Sequence, residues 1–224
     1  MIPDLIKILN RNKKKLFSFR NKKFLKSDKS YVSEADLMIQ EIVDNYLLKK
    51  FNKNYFLLSE ENYKNKKINF KKYKNIFILD PIDGTENFIS GIPHWGISFS
   101  WFKNFQHKDS FIFFPEIKEQ LLFKNYKSKN FSRIIALSSS NNKYLKKFKD
   151  FNEIRITGCC VYNLYNVIKG KFKSYENQNA NVWDFIAGFN IALKNNLEVK
   201  VNGKQYNGEF LYPNTKYNIK IKNK

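Results

Sequence analysis

The chain has 224 residues, of which 42% are hydrophobic and 17% aromatic, enough for a sizeable core and incompatible with general disorder. Lys and Arg number 41 against 20 Asp and Glu, a formal charge of +21, which raises nucleic acid or an anionic membrane as partners. Only Arg11, Arg20, Arg133 and Arg155 are arginines, and lysine lacks the planar fork that reads bases and phosphates, so the excess reads first as a solvated face, with nucleic acid the lesser alternative.

The start of the chain breaks after a few apolar residues, and no run approaches the length of a membrane span, so a cytoplasmic protein with no membrane span is expected. Residues 4–25 read as a basic helical segment with a weak apolar face at Leu5, Ile8, Leu9, Leu16 and Phe17, followed by a mobile loop over 26–31. Ser33 is a candidate N-cap with Asp36 at the third helical position. The helix it opens carries its apolar stripe on Ala35, Ile39, Ile42, Val43, Tyr46 and Leu47. Residues 55–58 make a short buried strand that delivers Glu60 and Glu61 to a loop, and a lysine-rich connection runs over 64–74. Asn75 to Leu79 is a second buried strand, stopped by Pro81 and Gly84. Asp80 and Asp83 then share a turn with a glycine for close backbone approach and the hydroxyl of Thr85, an oxygen-rich cup suited to metal and phosphate.

Residues 95–102, 110–114 and 119–123 read as strands of an antiparallel sheet. The apolar pattern breaks near 130, dividing an N-terminal α+β lobe (1–130) with most of the acidic residues from a C-terminal α/β lobe (131–224) that supplies Asp184. In the second lobe, strands are expected at 133–137 and 153–157 and a helix at 141–148. Gly158 opens a helix packed through Val161, Leu164, Tyr165 and Ile168, with Gly170 as its stop. Cys159 and Cys160 are neighbours and cannot staple distant parts of the fold, which fits a reducing compartment. A strand at 172–175, a helix at 185–193 led in by Val182-Trp183-Asp184, and an Asn202-Gly203 hairpin complete the order.

Magnesium takes hard oxygen ligands from a few carboxylates plus substrate phosphate, and a pair of such ions supports phosphoester hydrolysis. Glu60, Asp80, Asp83 and Asp184 all sit at turns where such a site can assemble. The segment Asp80-Pro-Ile-Asp-Gly-Thr-Glu-Asn-Phe88, with Glu60-Glu61 upstream and Trp183-Asp184 followed by Ala187-Gly188, resembles the inositol monophosphatase family of magnesium-dependent, lithium-sensitive phosphatases. Val32-Ser-Glu-Ala-Asp36 and Gly158-Cys-Cys-Val-Tyr-Asn163-Leu164 resemble two further blocks of that family. The resemblance implies a layered α-β-α-β-α sandwich and a site holding two or three Mg²⁺ ions. Glu60 and Asp80, with the Ile82 carbonyl, would hold one ion, and Asp80, Asp83 and Asp184 a second. Thr85, with Asp36 behind it, would orient and deprotonate the attacking water, Glu60 being counted with this catalytic set. The amides of Gly84 and Thr85 would bind phosphate beside Asp83. Gly158, Cys159, Cys160 and Asn177 would line the substrate pocket, and Lys26 would close over it.

Each residue also has a plainer reading. Asp83 fits a turn, Asp184 a helix cap, Asp36 the acid of a capping box, and Lys26 is one lysine among many. Both cysteines read as packing groups, although a thiol at a helix N-terminus can be reactive. The chain departs from the family at Asn177, where members acting on inositol phosphate commonly carry an acid, and between Trp101 and Arg133, where a glycine-rich turn is absent. It also ends soon after its last expected strand, without the family's closing helix. The expected activity is a Mg²⁺-dependent phosphomonoesterase in which metal-activated water attacks a small phosphorylated metabolite. Inositol 1-phosphate stands first and histidinol phosphate second, and the competing class is a non-catalytic relative that binds RNA or protein. A homodimer is a family-level expectation.

Overall fold

The computed structural model describes residues 1–25, 31–63, 68–126, 132–139 and 153–223. The basic N-terminal segment is two helices, α1 (Ile2–Arg11) and α2 (Lys13–Ser18), rather than one. The break falls at Asn12, whose side chain donates to Ile8 O at 2.9 Å and so competes with the helical ladder. Residues at the end of the expected helix are instead a strand, β1 (Lys23–Leu25), paired antiparallel with β2 (Tyr31–Ser33). Lys26 and the expected loop up to residue 30 lie outside the described residues, as does the helix expected at 141–148.

Helix α3 (Glu34–Phe51) begins where its N-cap predicts. Asp36 N donates to Ser33 Oγ at 3.4 Å, and Ser33 N donates to Asp36 Oδ2 at 2.8 Å, a complete capping box. Ala35, Ile39, Val43 and Leu47 face inward with Leu5, Leu9 and Leu16. They cover one face of a five-stranded sheet in the order β3-β4-β5-β6-β7, formed by β3 (Phe56–Ser59), β4 (Asn75–Asp83), β5 (Gly96–Lys103), β6 (Gln106–Phe114) and β7 (Glu119–Leu122). Strand β3 runs parallel to β4 and the other neighbours are antiparallel. Because both faces of this sheet are covered, β4 reads as a continuous apolar run rather than an alternating one.

Pro81 does not end β4, contrary to the sequence expectation; the strand continues to Asp83. Asp80 pairs with Ser98 and Asp83 with Gly96, so three steps of β4 oppose two of β5. This bulge takes up a residue that cannot donate to the ladder, and Gly84, at φ +84°, then turns the chain into α4 (Thr85–Ile89).

The other face of the sheet packs on α5 (Cys160–Ile168) and α6 (Val182–Lys194), which are buried on nearly every side. Beyond them lies a six-stranded sheet in the order β12-β11-β13-β10-β8-β9, from β8 (Ile134–Leu137), β9 (Glu153–Arg155), β10 (Ser174–Ala180), β11 (Glu198–Val201), β12 (Lys204–Gln205) and β13 (Tyr217–Lys222). The layers therefore run α-β-α-β among the described residues. Leu58, Ile76, Ile78 and Phe102 of the first sheet share one apolar cluster with α5, α6 and Val199, Ile219 and Ile221 of the second. The two sheets are thus built on a common core that fixes them against one another. Among the described residues no helix is long and apolar enough to cross a membrane.

Candidate active site

Four elements, α3 with Asp36 among them, deliver acidic side chains to one neighbourhood. Strand β4 carries Asp80 and Asp83 on either side of its bulge, Glu60 follows the parallel neighbour β3, and Asp184 stands in the first turn of α6. The burial of β4 forces Asp80 inside, where it is only 1% exposed, and its Oδ1 meets no hydrogen-bond donor among the described residues. Burial and then the charges of Glu60, Asp83, Asp184 and Asp36 push its carboxyl well above the usual range. Those named charges also place the acids together, since a residue contributes only when it is near.

Asp83 is raised to about 7, chiefly by burial and also by Glu60, against the lowering effect of hydrogen bonds from the start of α5. Its Oδ2 accepts from Val161 N and lies 3.3 Å from the Cys159 thiol. Asp184 is raised well above its ordinary value by burial, Asp83 and Glu60, while the Asn181 amide and Lys216 oppose the shift. Its Oδ2 accepts from Asn181 N at 2.7 Å, so the helix-cap reading and a place in the acidic cluster hold together. Asp36, on α3, is raised to about 7 by burial despite its bonds to Ser33, with Glu61 and Glu60 adding to the shift.

Thr85 Oγ1 donates to Ile82 O at 3.0 Å, which ties the hydroxyl to the bulge carbonyl. Among the described residues no hydrogen bond joins Thr85 to Asp36, whose Oδ2 accepts from Ser33 N at 2.8 Å and Ser33 Oγ at 2.6 Å. Gly84 packs tightly: a Cβ there would lie 3.0 Å from Cys159 Cβ and 3.1 Å from His94 O. Cys159 is the N-cap of α5, its sulfur accepting from Tyr162 N at 3.3 Å, the place usually held by Ser, Thr, Asp or Asn. Both thiols are buried and pushed well above their ordinary value by burial first and then by Asp83. That is the environment of an inert thiol, so helix-terminus activation does not operate here. Asn177 lies buried on β10 opposite Ile219, and its neighbour Glu176 pairs with Lys220 at 2.5 Å.

Two participants escaped the sequence reading. Tyr175 on β10 is 2% exposed, its hydroxyl hydrogen-bonded with the Cys160 thiol, and raised well above its ordinary value by burial and then by Cys160 and Asp83. Asn87, two residues beyond Thr85, donates to carbonyls in both halves of the chain. Asn87 was present in the aspartate motif, whereas nothing local marks Tyr175.

The donor set fits a hard divalent cation. It is made of carboxylate and carbonyl oxygens, it carries charges that repel one another, and it leaves Asp80 Oδ1 buried without a partner. Among the described residues no three aspartate, glutamate, histidine or cysteine side chains stand in a group that could hold a metal ion as they are placed; an ion that keeps several waters takes fewer protein ligands.

Comparison with known proteins agrees with the geometry. The chain is 27% identical over 209 residues to the fructose-1,6-bisphosphatase/inositol-1-monophosphatase of Thermotoga maritima, covering 83% of this chain and 78% of that protein. It is 27% identical over 188 residues to the inositol-1-monophosphatase of Rhizobium meliloti, covering 73% and 69%. Its fold matches an IMPase/NADP phosphatase solved with Mg²⁺ and phosphate at a TM-score of 0.81, over 100% of this chain and 89% of that one, at 21% identity. Residues 4–133, more than half the chain, match the family model itself, and the chain belongs to the inositol monophosphatase family of phosphoric monoester hydrolases.

Proposed function

We propose that this protein hydrolyses a small phosphate monoester in the presence of Mg²⁺, with inositol 1-phosphate the first substrate to test. The reading is carried by the mutually repelling acids from α3, β3, β4 and α6 that act on the buried Asp80, whose Oδ1 has no partner among the described residues. Glu60, Asp80 and the Ile82 carbonyl would hold one ion, and Asp80, Asp83 and Asp184 another. When bound, the metal supplies charge neutralisation for the phosphate and lowers the pKa of water.

The protein's own groups do the rest. Thr85, held at the bulge by Ile82 O, orients the attacking water, and Asp36 is a buried carboxyl poised near neutrality to accept its proton. The Gly84 and Thr85 amides would bind the phosphate, and the start of α5, from Gly158 to Cys160, would border the leaving group. The wall there is Cys159, a thiol, with Asn177 on β10 where an acid is common. That composition supports widening the substrate panel to histidinol phosphate, fructose 1,6-bisphosphate and a 3'-phosphoadenosine compound.

Purified protein is expected to release phosphate from at least one of these esters in millimolar Mg²⁺. Asp80→Asn is expected to reduce that release to background while the protein stays folded. No turnover across the panel, together with salt-sensitive RNA binding, would replace the enzyme reading with a binding one.

A further inference from the structure

Asn87 is 8% exposed, and its carboxamide nitrogen is shared between two main-chain carbonyls from different halves of the chain. Nδ2 donates to His94 O at 2.7 Å and to Thr157 O at 2.8 Å. His94 lies between α4 and β5, while Thr157 lies between β9 and α5, immediately before Gly158. Asn87 itself stands on α4 just after Thr85. One side chain therefore joins the turn bearing Asp83 and Thr85 to the segment that opens α5.

The joint has little slack. A Cβ on Gly158 would lie 3.3 Å from Asn87 Oδ1, and a Cβ on Gly84 would lie 3.0 Å from Cys159 Cβ. Both glycines have positive φ, +84° at Gly84 and +74° at Gly158, so each lets the two segments approach where another residue would be strained. Across the same joint, Val161 N and the Cys159 thiol reach Asp83 Oδ2. Those contacts require the start of α5 to stay docked on the β4 bulge.

We propose that Asn87 is a positioning residue that sets the separation between the Asp83–Thr85 turn and the start of α5, and thereby holds the acidic cup in its metal-binding geometry. The effect on metal and turnover rests on the phosphatase reading; the joint itself does not. A carboxamide suits the task because one nitrogen carries two N–H groups, one for each carbonyl. Leucine has similar bulk and donates nothing, leaving two part-buried carbonyls without their donor. Aspartate would set a carboxylate against both.

The test compares wild type with Asn87→Leu by hydrogen exchange and by Mn²⁺ binding followed by electron paramagnetic resonance. In the variant, exchange over residues 157–163 is expected to rise at least tenfold with peptides of β4, β5 and β6 unchanged, and half-saturating Mn²⁺ to rise at least tenfold. A merely structural role would lower the melting temperature and leave both readouts at wild-type values, which would overturn the proposal. If Asn87→Leu does not fold, Asn87→Ser, which leaves room for a water to bridge the carbonyls, is measured in the same two ways. If wild type neither binds Mn²⁺ nor releases phosphate, the phosphatase reading fails, and the exchange over 157–163 still decides whether Asn87 holds the joint.

Discussion

Cys159 shows how a residue's surroundings reverse its usual chemistry. At the N-terminus of an ordinary helix a thiol is activated, because the dipole and free amides favour the thiolate. Here burial comes first and Asp83, 3.3 Å from the sulfur, adds to its effect, so both influences favour the neutral thiol. Native protein is therefore expected to resist a small disulfide reagent at pH 8, with less than one thiol labelled per chain, and to expose both Cys159 and Cys160 on unfolding in guanidinium. Rapid labelling of native protein would contradict the burial argument. The acids were legible in the sequence because aspartates at a turn beside glycine and threonine advertise their chemistry locally. What these residues experience was not legible: the charge that Asp80 on β4 feels from Asp184 comes from α6, far along the chain, and no spacing rule carries that information.

At the scale of elements, helices α3, α5 and α6 and most of the first sheet followed from local signals. The capping box at Ser33 and Asp36 fixed the start of α3, and the Asn202-Gly203 pair fixed the β11–β12 turn. Pro81 misled, since a proline reads as a strand stop unless a bulge absorbs it, and the bulge depends on β5. Strand β13 was missed although Tyr217, Ile219 and Ile221 alternate inward, because lysine and asparagine on the open face make the segment look like a polar tail. The same dependence on neighbours governs α6. A Cβ at Gly188 would stand 2.6 Å from Leu164 Cδ1 and 3.0 Å from Leu164 Cβ, so the close approach of α5 and α6 requires glycine there. Gly188→Ala is expected to cost about 1–3 kcal/mol by overpacking, seen as a fall of several degrees in melting temperature. Because Asp184 opens the same helix, phosphate release should also fall, by roughly tenfold or more. Gly203→Ala provides the contrast: its φ of +79° predicts some loss of stability, but nothing lies within 4 Å of the added carbon, so turnover should be kept.

Across the whole molecule, the acidic cup opposes folding, and the sign of that effect can be measured. Asp36 and Asp83 are raised to about 7, and Asp80 and Asp184 well above their ordinary value, whereas an unfolded chain titrates its aspartates near about 3.9. The native state therefore holds more protons than the unfolded state above pH ~4, and stability falls as pH rises through 7. Two histidines act in the opposite direction at lower pH. Burial lowers His94, and lowers His107 to about 4, so both favour folding more as pH rises toward the ordinary histidine range of about 6.5. The window in which the acids act alone is thus about pH 6.5 to 8. In chelator-treated protein the melting temperature is expected to decline across that window, by the equivalent of about 1–3 kcal/mol. A divalent cation prefers ionised carboxylates, so millimolar Mg²⁺ should restore the lost stability at pH 8 and add little at pH 5. Asp80→Asn removes the most enclosed charge, and its metal-free form should melt higher than wild type at pH 8 while gaining less from Mg²⁺. A metal-free melting temperature that is flat or rises from pH 6.5 to 8 would show that the acids are not held together as the structure places them, and the metal assignment would lose its physical basis.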